Sequence, residues 1–321
     1  MIGSAVYWFL PSLLIGFLSV FLVAKINRKK GIIGIDINKP SQIKLPESVG
    51  IAMLVPLWIV SAAGLLNGVF GILETKVAIW LFMVSVFSSV GLLDDIKPKF
   101  LGKTRSWGFR ALTIAVVSLV FAALNFPYSL LAIVAALYLA GIASFENTFA
   151  GLNGWEIGSG FIISVFYFIL LFVSGSPLYP LALIVSGAIL AMLLFNLYPA
   201  RAFPGDSGTL LIGSALAGMM VIAGSWTLMV FSFLFFLPHM IDFAVKMATN
   251  PSDPSQRKAR PYSLDAEGKI NLPDYKGKKK LDFAKLLIII LGPKKEHVLV
   301  AIIWILVAVN CSFWSFLFLS L

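Results

Sequence analysis

The 321-residue chain contains one cysteine, two histidines and only 15 acidic residues. A single thiol, Cys311 within an apolar run, excludes an intrachain disulfide and argues against a thiolate metal cluster. Charged residues make up 12% of the chain, against about 25% in an average soluble domain. That shortage excludes a disordered, solvating chain. No polar stretch is long enough to form a second, soluble domain, so the formal net charge of +10 is not the footprint of a nucleic-acid surface.

What the chain has in excess is apolar surface. Hydrophobic residues make up 59% of it, with 27 Phe and 8 Trp, and the mean hydropathy is +0.94. A water-soluble globule of this size could not hide so much. The composition predicts an all-α polytopic membrane protein with about ten transmembrane helices, forming one integral membrane domain over residues 1–321. Runs long enough to cross lie at roughly 4–24, 50–67, 77–93, 109–124, 129–145, 158–174, 178–196, 208–224, 227–246 and 297–319. Leu281–Gly292 is apolar but too short to cross and predicts an interfacial or re-entrant helix.

The connections alternate in character. Even-numbered loops are short and almost uncharged, and 24 of the 25 Lys and Arg residues lie in or beside odd-numbered ones. By the positive-inside rule the odd loops are cytoplasmic and both termini lie outside. Lys25, Arg28, Lys29 and Lys30, directly after the first span, set that orientation.

The few acids gather on the basic side. Asp94 and Asp95 close the third span, and Glu146, Asn147, Asn153 and Glu156 occupy FENTFAGLNGWEIG after the fifth. Asp206 stands in FPGDSG ahead of the eighth, and His239 and Asp242 share one helical face in the ninth. Each cluster alone has a structural explanation: an interfacial stop, a helix cap, a turn, an interhelical pair. Their common sidedness favours one polar cleft at the cytoplasmic boundary.

The residue types in that cleft suit a polyanion. Asp206 and Asn147 offer the oxygen ligands that Mg²⁺ takes together with phosphates and water. Glycines at 151, 154, 205 and 208 let backbone amides approach anionic oxygens, and Lys103, Arg257, Lys258 and Arg260 could neutralise a diphosphate.

Five motifs in order carry a family resemblance: GIDINKP with LPESVG, GLLDD, NTFAGLNGWEIG, FPGDSG and RKARP. With them the chain resembles the polyprenyl-phosphate N-acetylhexosamine-1-phosphate transferases. It is most similar to their eukaryotic and archaeal dolichyl-phosphate branch, because LPESVG and AGLNG match that branch. The resemblance implies transfer of GlcNAc-1-phosphate from UDP-GlcNAc to dolichyl or another polyprenyl phosphate, giving lipid-PP-GlcNAc and UMP, the first membrane step of glycan assembly such as N-glycosylation. It further implies Mg²⁺ (or Mn²⁺) as cofactor, surrounding membrane lipids, no nucleic acid, and a homodimer. The membrane would be a prokaryotic plasma membrane or the eukaryotic endoplasmic reticulum.

Residue roles follow from the same resemblance. Asn147 and Asp206 resemble the metal ligands, and Asp94, Asp95 and Lys103 join Asp206 in the catalytic set. Asn153 resembles the residue that reads the uracil edge, with Phe203 stacking on the ring. Arg257 and Arg260 correspond to diphosphate and sugar contacts, and Glu47 and Glu156 match acids that order the substrate-binding loops. A different donor sugar or phosphoglycopeptide with the same chemistry is the nearest alternative. An ion-coupled transporter or lipid flippase, or a membrane scaffold, stands further off, since the acids sit at one surface and no internal repeat is visible.

Overall fold

A computed structural model of the chain describes residues 2–38, 42–96, 103–250, 261–273 and 280–320. Twelve helices appear among them: α1 (Ile2–Lys30), α2 (Leu54–Leu66), α3 (Glu74–Ile96), α4 (Lys103–Asn125), α5 (Leu131–Thr148), α6 (Trp155–Val173), α7 (Tyr179–Asn196), α8 (Gly205–Ala223), α9 (Trp226–Leu234), α10 (Leu237–Thr249), α11 (Phe283–Leu291) and α12 (Glu296–Leu319). Among the described residues nine spans are long and apolar enough to cross a membrane, or ten when the bent pair α9 and α10 is counted as one. The expected all-helical polytopic class is what the chain forms.

The ninth predicted span is not one helix. It breaks between Leu234 and Leu237 and bends by 57° into α9 and α10. Pro238, in the first turn of α10, cannot continue a helix ladder from α9. The carbonyls freed at the break, Leu234 O and Phe235 O, each accept from Asn310 Nδ2 of α12 at 3.0 Å. The short apolar segment predicted at 281–292 forms α11, nine residues long and so unable to cross.

Two helices make the centre of the bundle. In their apolar windows, 78% of α7 and 89% of α8 is buried by protein, against 22% for α1 and α4 on the periphery. α1 and α6 pack along α7, α3 and α5 pack along α8, and α12 lies on α6. With no hydrophobic drive between helices in lipid, such contacts depend on small residues that let backbones meet. Gly213 of α8 is one: a Cβ there would stand 2.6 Å from Ala143 Cα of α5.

Two short ribbons lie outside the spans. β1 (Ile33–Ile35) pairs antiparallel with β2 (Lys44–Pro46), Ile33 opposite Pro46, and β3 (Ser263–Leu264) pairs with β4 (Ile270–Asn271). The first ribbon is tied to the approach of α8. Phe203 N donates to Pro46 O at 2.9 Å, Val49 N to Phe203 O at 3.0 Å, and Gly50 N to Pro204 O at 2.9 Å. The LPESVG and FPGDSG segments, far apart in sequence, therefore run side by side.

Candidate active site

The start of α8 is held by α3 and by the segment around Gly50. Asp95, near the end of α3, accepts the backbone N–H groups of Asp206 at 3.0 Å and Ser207 at 3.4 Å, capping α8 from another helix. Ser88 Oγ donates to Ser207 O at 3.0 Å. The backbones meet closely here: a Cβ on Gly91 would be 2.4 Å from the Asp206 carbonyl, and one on Gly50 would be 2.2 Å from Gly208 Cα.

On this platform the carboxylates of Asp94 and Asp206 share one cation. Arg110 Nη1 of α4 donates to Asp94 Oδ2 at 2.6 Å and also to Asp206 Oδ2. The three side chains are only partly covered, with relative exposures of 21%, 15% and 32% for Arg110, Asp94 and Asp206. They are thus shielded enough to interact strongly and open enough to meet a ligand. Across from them Asn147, next to last in α5, accepts the hydroxyl of Thr209 through Oδ1.

Asn147 and Asp206 face the same cleft of about 320 Å³, whose walls also include Asn153, Glu156, Phe203 and Asp36. Asn153 is fixed from both ends: its backbone N–H donates to Glu296 Oε1 at 2.9 Å and its Nδ2 to Asp36 Oδ2 at 3.0 Å. Glu156 is buried in the first turn of α6. Glu47 follows β2, its carboxyl lying beside Gly34 and the Phe203 ring. Of the residues singled out in the sequence, the fold brings Asn147, Asn153, Glu156, Phe203 and Asp206 to one cleft and sets Asp94 and Asp95 against Asp206. Arg257, Arg260 and the side chain of Lys103 lie outside the described residues.

Two features went unseen in the sequence. Arg110 sits just inside the fourth predicted span, where a lone guanidinium at the start of an apolar run was the available signal. Lys246 of α10 was the other. Its ammonium pairs with Asp242 at 2.7 Å and donates to the carbonyls of Thr148 and Ala150, thereby capping the C-terminus of α5. Asp242 also accepts Phe283 N of α11 at 2.8 Å. His239 turns the other way, its Nε2 3.1 Å from Glu146 Oε2 in a fully buried contact, its ring tilted by 30° against Phe149 with centroids 3.8 Å apart. The His239–Asp242 pair of the sequence is thus split between two structural contacts.

Lys246 also borders a second cleft, of about 380 Å³, which shares Ala150, Gly151 and Pro261 with the first. Lys280, Lys285 and Tyr262 line it as well. Burial lowers the Lys285 ammonium pKa from its ordinary value, an effect that the neighbouring Asp282 carboxylate opposes.

The donor set fits a hard divalent cation. The cleft offers amide and carboxylate oxygens, and no group of three His, Cys, Asp or Glu gathers among the described residues to form an all-protein cage. Mg²⁺ is ordinarily held this way, by one or two protein oxygens with phosphates and water completing the octahedron. Together the fold and the cleft define a polytopic helical membrane protein with a polar cleft lined by amide and carboxylate groups.

Comparison with known proteins gives the family. The glycosyl transferase family 4 model matches residues 77–224, the stretch that carries Asp94, Arg110, Asn147 and Asp206. A protein of Saccharolobus solfataricus, provisionally named a UDP-N-acetylglucosamine–dolichyl-phosphate N-acetylglucosaminephosphotransferase, is 30% identical over 92% of this chain and 91% of its own length. A provisionally named glycosyltransferase of Methanocaldococcus jannaschii is 29% identical over 89% and 87%. The phospho-N-acetylmuramoyl-pentapeptide-transferase of Clostridium perfringens is 30% identical over 46% of this chain and 52% of its own. The chain belongs to glycosyl transferase family 4.

Proposed function

We propose that the protein transfers N-acetylglucosamine 1-phosphate from UDP-N-acetylglucosamine to dolichyl phosphate or another polyprenyl phosphate, releasing UMP, with the cleft on the cytoplasmic face of the membrane. The observation that carries this reading is the convergence of Asn147, Asn153, Phe203 and Asp206 on one cleft, with Asp94 and Arg110 tied to the Asp206 carboxylate. The names of the archaeal relatives support the donor and the acceptor.

Asn147 and Asp206 would hold the divalent cation, Mg²⁺ or Mn²⁺. When bound, the cation supplies charge neutralisation of the diphosphate and orientation of its oxygens. The reaction forms a bond between an acceptor phosphate oxygen and the sugar-bearing phosphorus, and breaks the bond from that phosphorus to the oxygen of UMP. The acceptor, a phosphate monoester with second pKa about 6, is already largely dianionic at pH 7. No protein base is therefore required. Asp94 and Asp95 are otherwise occupied, the first by Arg110 and the second by the α8 amides. Their work is positioning: Asp95 fixes the start of α8, and Asp94 with Arg110 fixes the Asp206 carboxylate. Arg110 adds a fixed positive charge beside the reacting phosphates, where preorganised electrostatics contributes most to phosphoryl transfer. Phe203 and Asn153 supply a ring face and an amide edge for the nucleobase.

The test is UMP release by the purified protein given UDP-N-acetylglucosamine, a polyprenyl phosphate and Mg²⁺. Lipid-dependent formation of UMP, lost with EDTA and in Asp206→Asn, is the expected result. Activity only with another UDP-sugar would move the donor and keep the chemistry. Transport of labelled substrate with no product formed would replace the transferase by a transporter.

A further inference from the structure

Asp36 has no part in the chemistry above, yet it lies against the residue assigned to the nucleobase. It follows β1 and is 5% exposed, a costly place for a carboxylate unless its oxygens are used. Both are. Oδ1 accepts the backbone N–H of Asn38 at 3.3 Å, in the pattern of an Asx turn that orients the carboxylate on its ribbon. Oδ2 accepts Nδ2 of Asn153 at 3.0 Å. The ribbon grips the same loop a second time, Asn38 Nδ2 donating to Gly151 O at 2.9 Å.

A carboxylate accepts and does not donate, so this contact decides which way round the Asn153 amide stands. Its NH₂ must face Asp36, and its carbonyl oxygen is turned to the other side. Asp36, Asn153, Ile37 and Phe203 all line the cleft.

The geometry points to Asp36 as a positioning residue that makes the cleft select a uracil base and refuse cytosine. This rests on the proposed reading in which Asn153 meets the base edge. Uracil presents N3–H, a donor, which the fixed amide oxygen accepts. Cytosine presents a bare N3, an acceptor, and would set two acceptors against each other. An amide free to turn over would offer its NH₂ to cytosine instead. By holding the NH₂, Asp36 removes the one orientation that admits the wrong base, and a mismatched buried polar pair discriminates strongly.

The experiment compares kcat/KM for UDP-N-acetylglucosamine and CDP-N-acetylglucosamine in the wild type, Asp36→Asn and Asp36→Ala. An asparagine at 36 can donate or accept, and an alanine can do neither. The expected result is a wild-type preference for UDP that falls about tenfold or more in both variants. The ratio is taken within one preparation and does not depend on how much of it is folded. If either variant turns over too slowly, competition of UMP and CMP for the folded fraction gives the same ratio. An unchanged ratio, or a wild type indifferent to the base, overturns the role of Asp36. A wild type that uses no uridine donor at all overturns the proposed function instead, so the two failures are distinct.

Discussion

The carboxylate of Asp95 accepts the backbone N–H of Asp206 at 3.0 Å, so the end of α3 caps the start of α8. The two acids differ in task although both stand at the same helix end. Asp95 is spent on backbone amides, whereas Asp206 turns its carboxylate to the cleft. Asp206→Asn is expected to abolish turnover while leaving the unfolding temperature in detergent close to that of the wild type. Asp95→Asn keeps an acceptor for the α8 amides and is expected to retain measurable activity. Equal and complete loss in both would refute this division.

Arg110 places one positive charge between two carboxylates. Arg110→Met should lower kcat by more than about tenfold, since charge-assisted positioning at a reacting phosphate is lost. It should at the same time tighten Mn²⁺ binding, because a competing cation has left the Asp206 carboxylate. Manganese titration followed by electron paramagnetic resonance measures the second effect without turnover. Arg110→Lys keeps the charge and loses the forked geometry, and should fall between the two.

The close approach at the start of α8 leaves no room for a methyl group. Gly91→Ala puts a Cβ 2.4 Å from the Asp206 carbonyl, far inside van der Waals contact, and backbone cannot give way as a side chain can. Overpacking of this kind costs about 1–3 kcal/mol and here displaces the Asp206 carboxylate as well. Thermal unfolding in detergent and the UMP assay should both report the loss.

Lys246 holds the carbonyl end of α5 and the loop that carries Asn153. A cation at a helix C-terminus contributes about 0.3–1 kcal/mol when exposed and up to about 2 kcal/mol when partly buried. Lys246→Met should therefore raise the KM for the donor several-fold, with a smaller change in kcat and in the KM for the lipid. Lys246→Arg should recover part of it. A fall in kcat alone would mean that the loop is held by other contacts.

The composition alone determined the class of molecule. Apolar runs of crossing length and a one-sided distribution of charge leave a helical membrane bundle as the only way to satisfy the backbone in lipid. The motifs around Asn147, Asn153, Phe203 and Asp206 were legible for a local reason. Gly, Asn, Asp and Pro at span ends stand out against an apolar background. The partnerships were not legible, because each joins residues on separate elements with no periodicity to connect them. Asp36 meets Asn153 across 117 positions, Asp95 meets Asp206 across 111, and Arg110 meets Asp206 across 96. Which acid caps a helix and which faces the cleft was therefore decided by tertiary structure, through the close approach of α3 and α8 at Gly91. The break between α9 and α10 was decided the same way: Pro238 marks it in the sequence, but Asn310 of another helix makes it affordable by taking the freed carbonyls. Sequence names the polar groups of a membrane protein, and packing assigns their partners, since in a medium without water every buried donor must find its acceptor within the fold.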